Sequence, residues 1–388
     1  MQSVPRQEIE KHWQRARQYM TCDALLVVQN ADLFYLTGTV QNSVLWFPRE
    51  GEPTLFVRKS YQRACDESPL KNIIAFKRYA EIPEKLSERV KQVGVEMDVV
   101  PVSTFEQLRK LFPDAEFVDC STGLRKARSV KTAYEIDQIR IAAEMLDRAF
   151  LDIPQQLREG MGEYELAARI EYVMRMAGHQ GLIRLRRFNF ELHFGYVSFG
   201  GSTAYPHNFD GPVGARGLYP AVPAMGGWKR LVRHEPVMVD VCGGAGGYIA
   251  DGSRTYSIGP LSEKMRDAHA FILDLNSWIE TQLRPGAIPS AIYQEATDRA
   301  KAASFGPFFM GTGENQVSFV AHGVGLELDE IPVIAPKSDA PLESGVVLAV
   351  EPKIFFPEVG GVGVENTYVV TEAGGHRLTN APMEIISV

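Results

Sequence analysis

The apolar positions of this 388-residue chain fall into two regimes. Up to about residue 125, short apolar runs alternate with stretches of helical periodicity. Residues 5–20 predict an amphipathic helix, and DALLVVQ, VLWFPRE and PTLFVRK, each broken off by turn residues, predict strands. A further helix is expected near Ile82–Val93. DVVPVST and AEFVDCS read as strands on either side of a helical FEQLRKLF. Strands alternating with helices point to an α/β layout for this third of the chain. The basic, polar GLRKARSVKT reads as a linker. Beyond it, Ile136, Ile139, Ala143, Leu146 and Phe150 recur at helical spacing and predict a long helix, Ala133–Glu159, followed by a second, Tyr164–Gly178. From Phe188 the pattern changes to strands and hairpins with glycine-rich turns, interrupted by helices at Lys264–Leu283 and Ser290–Phe305. No internal repeat at a solenoid period is visible.

Two hairpins in the C-terminal half carry acids inside their apolar arms. In PVMVDVCGGAGGYIADGSRTYSIG the turn centres near Ala245, which pairs Asp240 with Asp251. In VVLAVEPKIFFPEVGGVGVENTYVV it centres near Glu358 and Gly360, which pairs Glu351 with Glu365. Paired residues of adjacent strands project to one face, with Cβ atoms about 4.5–5.5 Å apart. A single acid in a hairpin is most often a solvent-facing edge charge. Two hairpins with symmetric acids in Val/Ile-rich arms would bury four carboxylates, which is unfavourable unless something neutralises them. Dications are the simplest answer. His322, in FVAHGVGLELDE, lies between the two hairpins in sequence. Two Asp, two Glu and one His form a mostly oxygen donor set, harder than that of a structural zinc site. Such a set suits two metals about 3.5–4 Å apart that share and activate a water.

Composition narrows the picture little. Hydrophobic residues at 45% and charged residues at 23% are ordinary for a soluble globular protein. A formal net charge of −7 argues against a nucleic-acid partner. No apolar run approaches the roughly 20 residues that span a bilayer, so no membrane partner is expected. The charged start, MQSVPRQEIEKHWQRARQYM, lacks the apolar core of a secretory signal. Cys22, Cys65, Cys120 and Cys242 are scattered without CxxC spacing, which fits reduced thiols and a cytoplasmic location. Cys242 falls on the strand face of Asp240 and reads as a small core residue.

The acid and histidine pattern resembles the pita-bread fold metallopeptidases, the group that contains methionine aminopeptidase, prolidase, aminopeptidase P and creatinase. That family's ligands run Asp, Asp, His, Glu, Glu, and the matching positions are Asp240, Asp251, His322 in HGVGLE, Glu351 in VEPKIF and Glu365 in GGVGVENT. Asn30-Ala31-Asp32-Leu33-Phe34-Tyr35-Leu36-Thr37-Gly38 resembles the smaller domain of prolidase and creatinase. The resemblance implies an N-terminal creatinase/prolidase-like α/β domain over 1–126. A C-terminal pita-bread domain over 127–388 would follow, a curved, pseudo-symmetric antiparallel sheet covered by helices. It implies two divalent ions, for which Mn, Co, Fe and Zn all tolerate the ligand set. It also implies a homodimer, with Tyr35 and Arg58 as candidate interface residues. The activity implied is hydrolysis of a C–N bond in a small peptide, of the Xaa-Pro dipeptidase or aminopeptidase kind, with Glu351 as general base. His207, in TAYPHNFDGP, matches a pocket-lining histidine that assists at the scissile group. The Gly/Pro-rich segment 211–230 that follows it reads as an inserted loop, either a lid or a decorated hairpin.

Three positions depart from the family pattern. Asp329 stands where those enzymes have a histidine that serves the tetrahedral intermediate, Ser318 where prolidase and aminopeptidase P have another, and Gly363 where they have an arginine bracing the metal-binding acids. An ionised Asp cannot donate to an oxyanion, but it can pair with a cationic substrate group. Asp329 therefore makes a creatinase-like hydrolase of a small cationic amide or amidine the alternative. A pseudoenzyme binding module is the third reading.

Overall fold

The computed structural model describes residues 3–86 and 90–388. The chain divides into two units, residues 1–128 with 186–188, and 129–185 with 189–388.

In the first unit the short apolar runs become β1 (Ala24–Val27), β2 (Asn42–Pro48), β3 (Thr54–Lys59), β4 (Asn72–Ala75), β5 (Gln92–Val95) and β6 (Glu116–Asp119). They form one sheet in the order β4-β3-β2-β1-β5-β6, antiparallel at β1/β2 and β2/β3 and parallel elsewhere. The helices are α1 (Arg6–Gln18), α2 (Asn30–Thr37), α3 (Tyr61–Glu67), α4 (Glu81–Glu84), α5 (Val102–Arg109) and α6 (Ser121–Ser129). Leu26, Val44, Trp46, Phe56, Val93 and Val95 share the core of this sheet. α1 buries Ile9, Trp13 and Ala16, one stripe of a 3.6-residue period.

Three expectations fail in this unit. The helix placed near Ile82–Val93 stops at Glu84, and residues 92–95 instead form β5. Residues 87–89 of that span lie outside the described residues. QVGV is too short to show a period, and its parallel pairing with β1 and β6 decides its conformation. DVVPVST is not a strand, because Pro101 starts α5 from the N-cap position. GLRKARSVKT spans the boundary between the two units, but not as an irregular linker. It is largely α6, which buries Leu124, Ala127 and Arg128, and Arg128 Nη1 donates to the fully buried Asp32 Oδ1 at 2.8 Å.

The second unit carries α7 (Ala133–Gln156), α8 (Glu163–Met176), α9 (Glu263–Gln282) and α10 (Pro289–Ala302). Its strands are β7 (Gly195–Phe199), β8 (Val237–Ala245), β9 (Tyr248–Ser257), β10 (Ala321–Gly323), β11 (Glu330–Ile334), β12 (Val347–Val350), β13 (Lys353–Phe356), β14 (Gly360–Gly363), β15 (Asn366–Thr371), β16 (Gly374–Arg377) and β17 (Ile386–Ser387). One sheet runs β17-β9-β8-β7, a second β11-β10-β12-β15-β16, and β13-β14 form a separate hairpin. α7 opens on a Thr132/Glu135 capping box and packs on β8 and β9, while α8 contacts β7. α9 packs on β13, β14 and β16, and α10 on β11. Sheets that are antiparallel except for the β17/β9 pair, covered by paired helices, are the architecture that the resemblance implied. No helix among the described residues is long and apolar enough to cross a membrane.

Candidate metal centre

The glycine run of the first hairpin serves two purposes. Gly246 and Gly247 take φ of 59° and 93° and make the two-residue turn, the left-handed pair that matches the twist of a hairpin. Gly243 answers to packing, since a Cβ there would sit 2.1 Å from the carbonyl oxygen of Ala142 on α7. The turn is therefore later than expected, and the ladder pairs Asp240 with Ser253 and Cys242 with Asp251. The expected direct pairing of Asp240 with Asp251 is corrected by two residues. Strand side chains repeat every two residues, so that slip leaves both acids on one face. The thiol of Cys242 lies 3.4 Å from Asp251 Oδ1.

The second hairpin keeps its expected register. Lys353 pairs with Gly363, and continuing the ladder outward sets Glu351 opposite Glu365. The hairpins are joined at Ser253, which faces Asp240 on one side and bridges Glu365 on the other. The Glu365 amide donates to the Ser253 carbonyl at 3.1 Å, and the Asp251 amide donates to Thr367 Oγ1 at 2.9 Å. His322 on β10 pairs with Ala349 on β12, two residues before Glu351. The four acids and the histidine are thus brought together by strand pairing.

His322 Nε2 lies 3.8 Å from Asp251 Oδ2, 3.6 Å from Glu351 Oε1 and 3.9 Å from Glu365 Oε1. Its Nδ1 is 3.2 Å from the carbonyl oxygens of Gly323 and Leu328. Those acceptors hold a proton on Nδ1 and turn Nε2 toward the acids, so that losing the Nε2 proton would present its lone pair to an ion, as in metal-binding histidines. Glu365 Oε1 is buried without a hydrogen-bond partner among the described residues. A buried, orphaned carboxylate oxygen next to a histidine nitrogen fits a divalent ion. The Asp251, His322 and Glu365 donor atoms all lie within 4.8 Å of one another, as do those of Asp240, Glu351 and Glu365.

Sequence reasoning missed Lys353. Its side chain is fully buried, and Nζ lies 3.0 Å from Asp240 Oδ2, 2.6 Å from Glu351 Oε2 and 3.0 Å from Glu365 Oε2. Burial works against its charge, but these three acids hold its pKa well above the ordinary lysine value. The signal was in the sequence: EPKIF places a cation two residues after a ligand-candidate acid, on the same strand face.

The other named residues stand apart from the carboxylates. Asp329 Oδ1 is 3.7 Å from His322 Nδ1, on the side of the ring that faces away from the acids. His207 uses both ring nitrogens in its own loop, donating from Nε2 to the Val213 carbonyl at 2.6 Å and accepting at Nδ1 from the Phe209 amide at 2.8 Å. It stacks on Tyr196, and burial pushes its pKa down. His207 lines a neighbouring cavity rather than the one holding the acids. The acid cavity is walled by Tyr196, Phe209, Phe319 and Leu328, with Asp329 and Asp210 also lining it.

Burial first, and Glu365 and Asp240 second, push the Asp251 pKa well above the usual range. His322 is raised to about 9, since Asp329, Glu351 and Asp251 outweigh a burial effect that acts in the opposite direction. Asp240 is pushed up to about 6 by burial, with Lys353 pulling the other way. An acid with a raised folded-state pKa binds its proton more tightly when folded. Folding is therefore penalised as pH rises from the unfolded value, about 3.9, through the folded one. Metal-free protein should accordingly lose about 3 kcal/mol relative to Asp240→Asn between pH 4 and 7, at 1.36 kcal/mol per pKa unit. Urea melts of both proteins at stepped pH measure this. A difference that stays flat with pH would show that Asp240 titrates as it does in the unfolded chain.

The chain is similar to known proteins over nearly its whole length. The chain is 27% identical over 366 residues to the Xaa-Pro dipeptidase of Pyrococcus furiosus, covering 94% of this chain and 95% of that one. It is 25% identical over 370 residues to an uncharacterised peptidase of Bacillus subtilis, again covering 94% and 95%. Among solved structures, the X-Pro aminopeptidase of Thermotoga maritima superposes with a TM-score of 0.81 at 26% identity, covering 96% of this chain and all of that one. The prolidase of Pyrococcus horikoshii superposes with a TM-score of 0.80 at 26% identity, covering 98% and 100%. Residues 12–130 match the creatinase/prolidase N-terminal domain. Residues 137–372, which hold the two hairpins and His322 between them, match metallopeptidase family M24, and it is to this family that the chain belongs.

Proposed function

We propose that this chain hydrolyses the peptide bond before proline in dipeptides or short peptides, with a divalent ion held by Asp251, His322, Glu351 and Glu365. The observation that carries the reading is the convergence of these four side chains at the acid cavity, with Glu365 Oε1 buried and without a hydrogen-bond partner. It is supported by relatives that are Xaa-Pro dipeptidases and aminopeptidases across nearly their full length. A bound divalent ion would supply a Lewis acid for the scissile carbonyl and lower the pKa of water, with Mn, Co, Fe and Zn all compatible with the donors.

The chain's own residues do the rest. Glu351 presents Oε1 to the cavity while Oε2 stays tied to Lys353. With one lone pair of Oε1 toward the ion, its other lone pair takes the proton of the attacking water and passes it to the departing amine. Nδ1 of His322, held by two carbonyls, keeps the ring from rotating its lone pair away. Tyr196, Phe209, Phe319 and Leu328 offer an apolar wall for a proline ring, and no lysine or arginine is among the described residues lining the cavity. The acidic lining suits a substrate with a free α-amino group. His207 has no part in this scheme, because both its ring nitrogens are engaged within its own loop.

Protein stripped with a chelator and reloaded singly with each of the four metals should release proline from Xaa-Pro dipeptides. It should leave matched dipeptides lacking proline largely intact. No hydrolysis of any Xaa-Pro peptide with any of the metals would sink the reading. Release of ammonia or urea from small amidines instead would favour the creatinase-like alternative.

A further inference from the structure

The family resemblance implies two ions, yet the two donor sets of this site are not equivalent. Glu351 and Glu365 divide their oxygens. Each turns Oε1 toward His322 and Oε2 toward Lys353 Nζ. Asp240 Oδ2 completes the cradle around the ammonium. A dication in that cradle would need the same oxygens at about 2.0–2.2 Å, and an ammonium at 2.6–3.0 Å from all three already fills the space between them. We propose that Lys353 is the second cation of this site, so that the chain holds one divalent ion, among Asp251, His322, Glu351 and Glu365. This rests on the metallopeptidase reading above and departs from a two-ion centre.

The surroundings support a permanent occupant. Lys353 is 0% exposed, so its side chain has no open path to solvent. Its backbone is pinned on both sides, by the ladder to Gly363 and by the Met310 amide donating to the Lys353 carbonyl at 2.9 Å. The facing residue leaves room for it, since a Cβ on Gly363 would lie 2.5 Å from Lys353 Cγ. Gly363 is the position at which the resembling enzymes carry an arginine. The resemblance implies a positive charge at 363, and this chain carries one on the facing residue, Lys353. Lys353 acts as a positioning residue. It fixes the Oε2 atoms of both glutamates and so aims their Oε1 atoms at the remaining ion.

Full-length protein, stripped and dialysed against excess Mn²⁺, decides the matter by elemental analysis and electron paramagnetic resonance. Wild type should bind one ion per chain, with the spectrum of an isolated Mn²⁺. Lys353→Gly and Lys353→Ala should bind two, with the exchange-coupled spectrum of a close pair. Two ions in wild type overturn the inference and leave the metallopeptidase reading standing. One ion in wild type and one in each folded variant also overturn it, because the lysine is then not what excludes the second ion. No ion in any of the proteins overturns both. Should neither variant fold, the wild-type spectrum alone decides, an isolated ion supporting the inference and a coupled pair ending it.

Discussion

Glu365→Gln is expected to abolish metal-dependent hydrolysis while making the metal-free protein more stable. Glu365 is almost completely buried, and burial raises its pKa even though Lys353 opposes the shift. Its Oε2 accepts from Lys353 at 3.0 Å, and its Oε1 is orphaned. An amide of the same shape keeps an oxygen for Lys353 and presents an N–H₂ toward Asp251 and Glu351, whose acids then gain a donor. Relieving one buried charge and one unsatisfied oxygen should add about 1–3 kcal/mol to metal-free stability. The same change removes an anionic donor from the ion. The stabilisation by metal, about 2.7 kcal/mol at a free concentration of 100 Kd, should vanish. Activity should fall at least about a thousandfold, the equivalent of roughly 4 kcal/mol of transition-state stabilisation. Thermal melts with and without Mn²⁺, alongside proline release, read all three effects. A lower metal-free Tm together with an intact metal-dependent rise would show that Glu365 supports the fold rather than the ion. A stabilising substitution that removes function marks a site kept at the expense of the fold.

The acids were legible because the family order Asp, Asp, His, Glu, Glu is written along the chain and because apolar arms made the hairpins obvious. The register was only half legible. In the first hairpin four glycines sit close together, and nothing in the sequence says that Gly246 and Gly247 turn while Gly243 makes room for α7. In the second, Glu358 takes positive φ within the three-residue loop 357–359 and Gly360, also at positive φ, opens β14, so the expected turn matches. Two of the N-terminal errors have one cause. QVGV and GLRKARSVKT are short or polar segments whose conformation is set by what they pack on, and a local pattern carries no such information. His207 was chosen for its Pro-His context, but the geometry of the loop from Pro206 to Val213 consumes both of its nitrogens. Lys353 follows Glu351 in EPKIF, where only the acid belongs to the ligand order. A cation two residues from a ligand-candidate acid, on the same face and buried, is the feature that most distinguishes this site.

Gly363→Arg should be severely destabilising in the wild-type chain and far less so beside Lys353→Gly. A side chain at position 363 brings its Cβ to 2.5 Å from Lys353 Cγ and to 2.9 Å from both Cα and Cβ of that residue. The strands are paired there and held further by Thr255, which hydrogen-bonds both the amide and the carbonyl of Gly363. Little room exists for relief by sliding. Overpacking of this kind costs about 1–3 kcal/mol, and a guanidinium forced beside a buried ammonium adds like-charge repulsion. The sum should exceed about 3 kcal/mol, a large share of the 5–15 kcal/mol that folded domains have. With glycine at 353 the Cβ and Cγ contacts disappear and the ammonium is gone. The acids that held it, Asp240 Oδ2, Glu351 Oε2 and Glu365 Oε2, then need a cation. An arginine at 363 supplies one from the facing strand. The two substitutions should therefore be coupled by at least about 2 kcal/mol, well above the 0.3–0.5 kcal/mol scatter of independent sites. Urea unfolding of wild type, both single variants and the double variant closes the cycle. Equal destabilisation by Gly363→Arg in both backgrounds would mean that the glycine answers only to backbone packing.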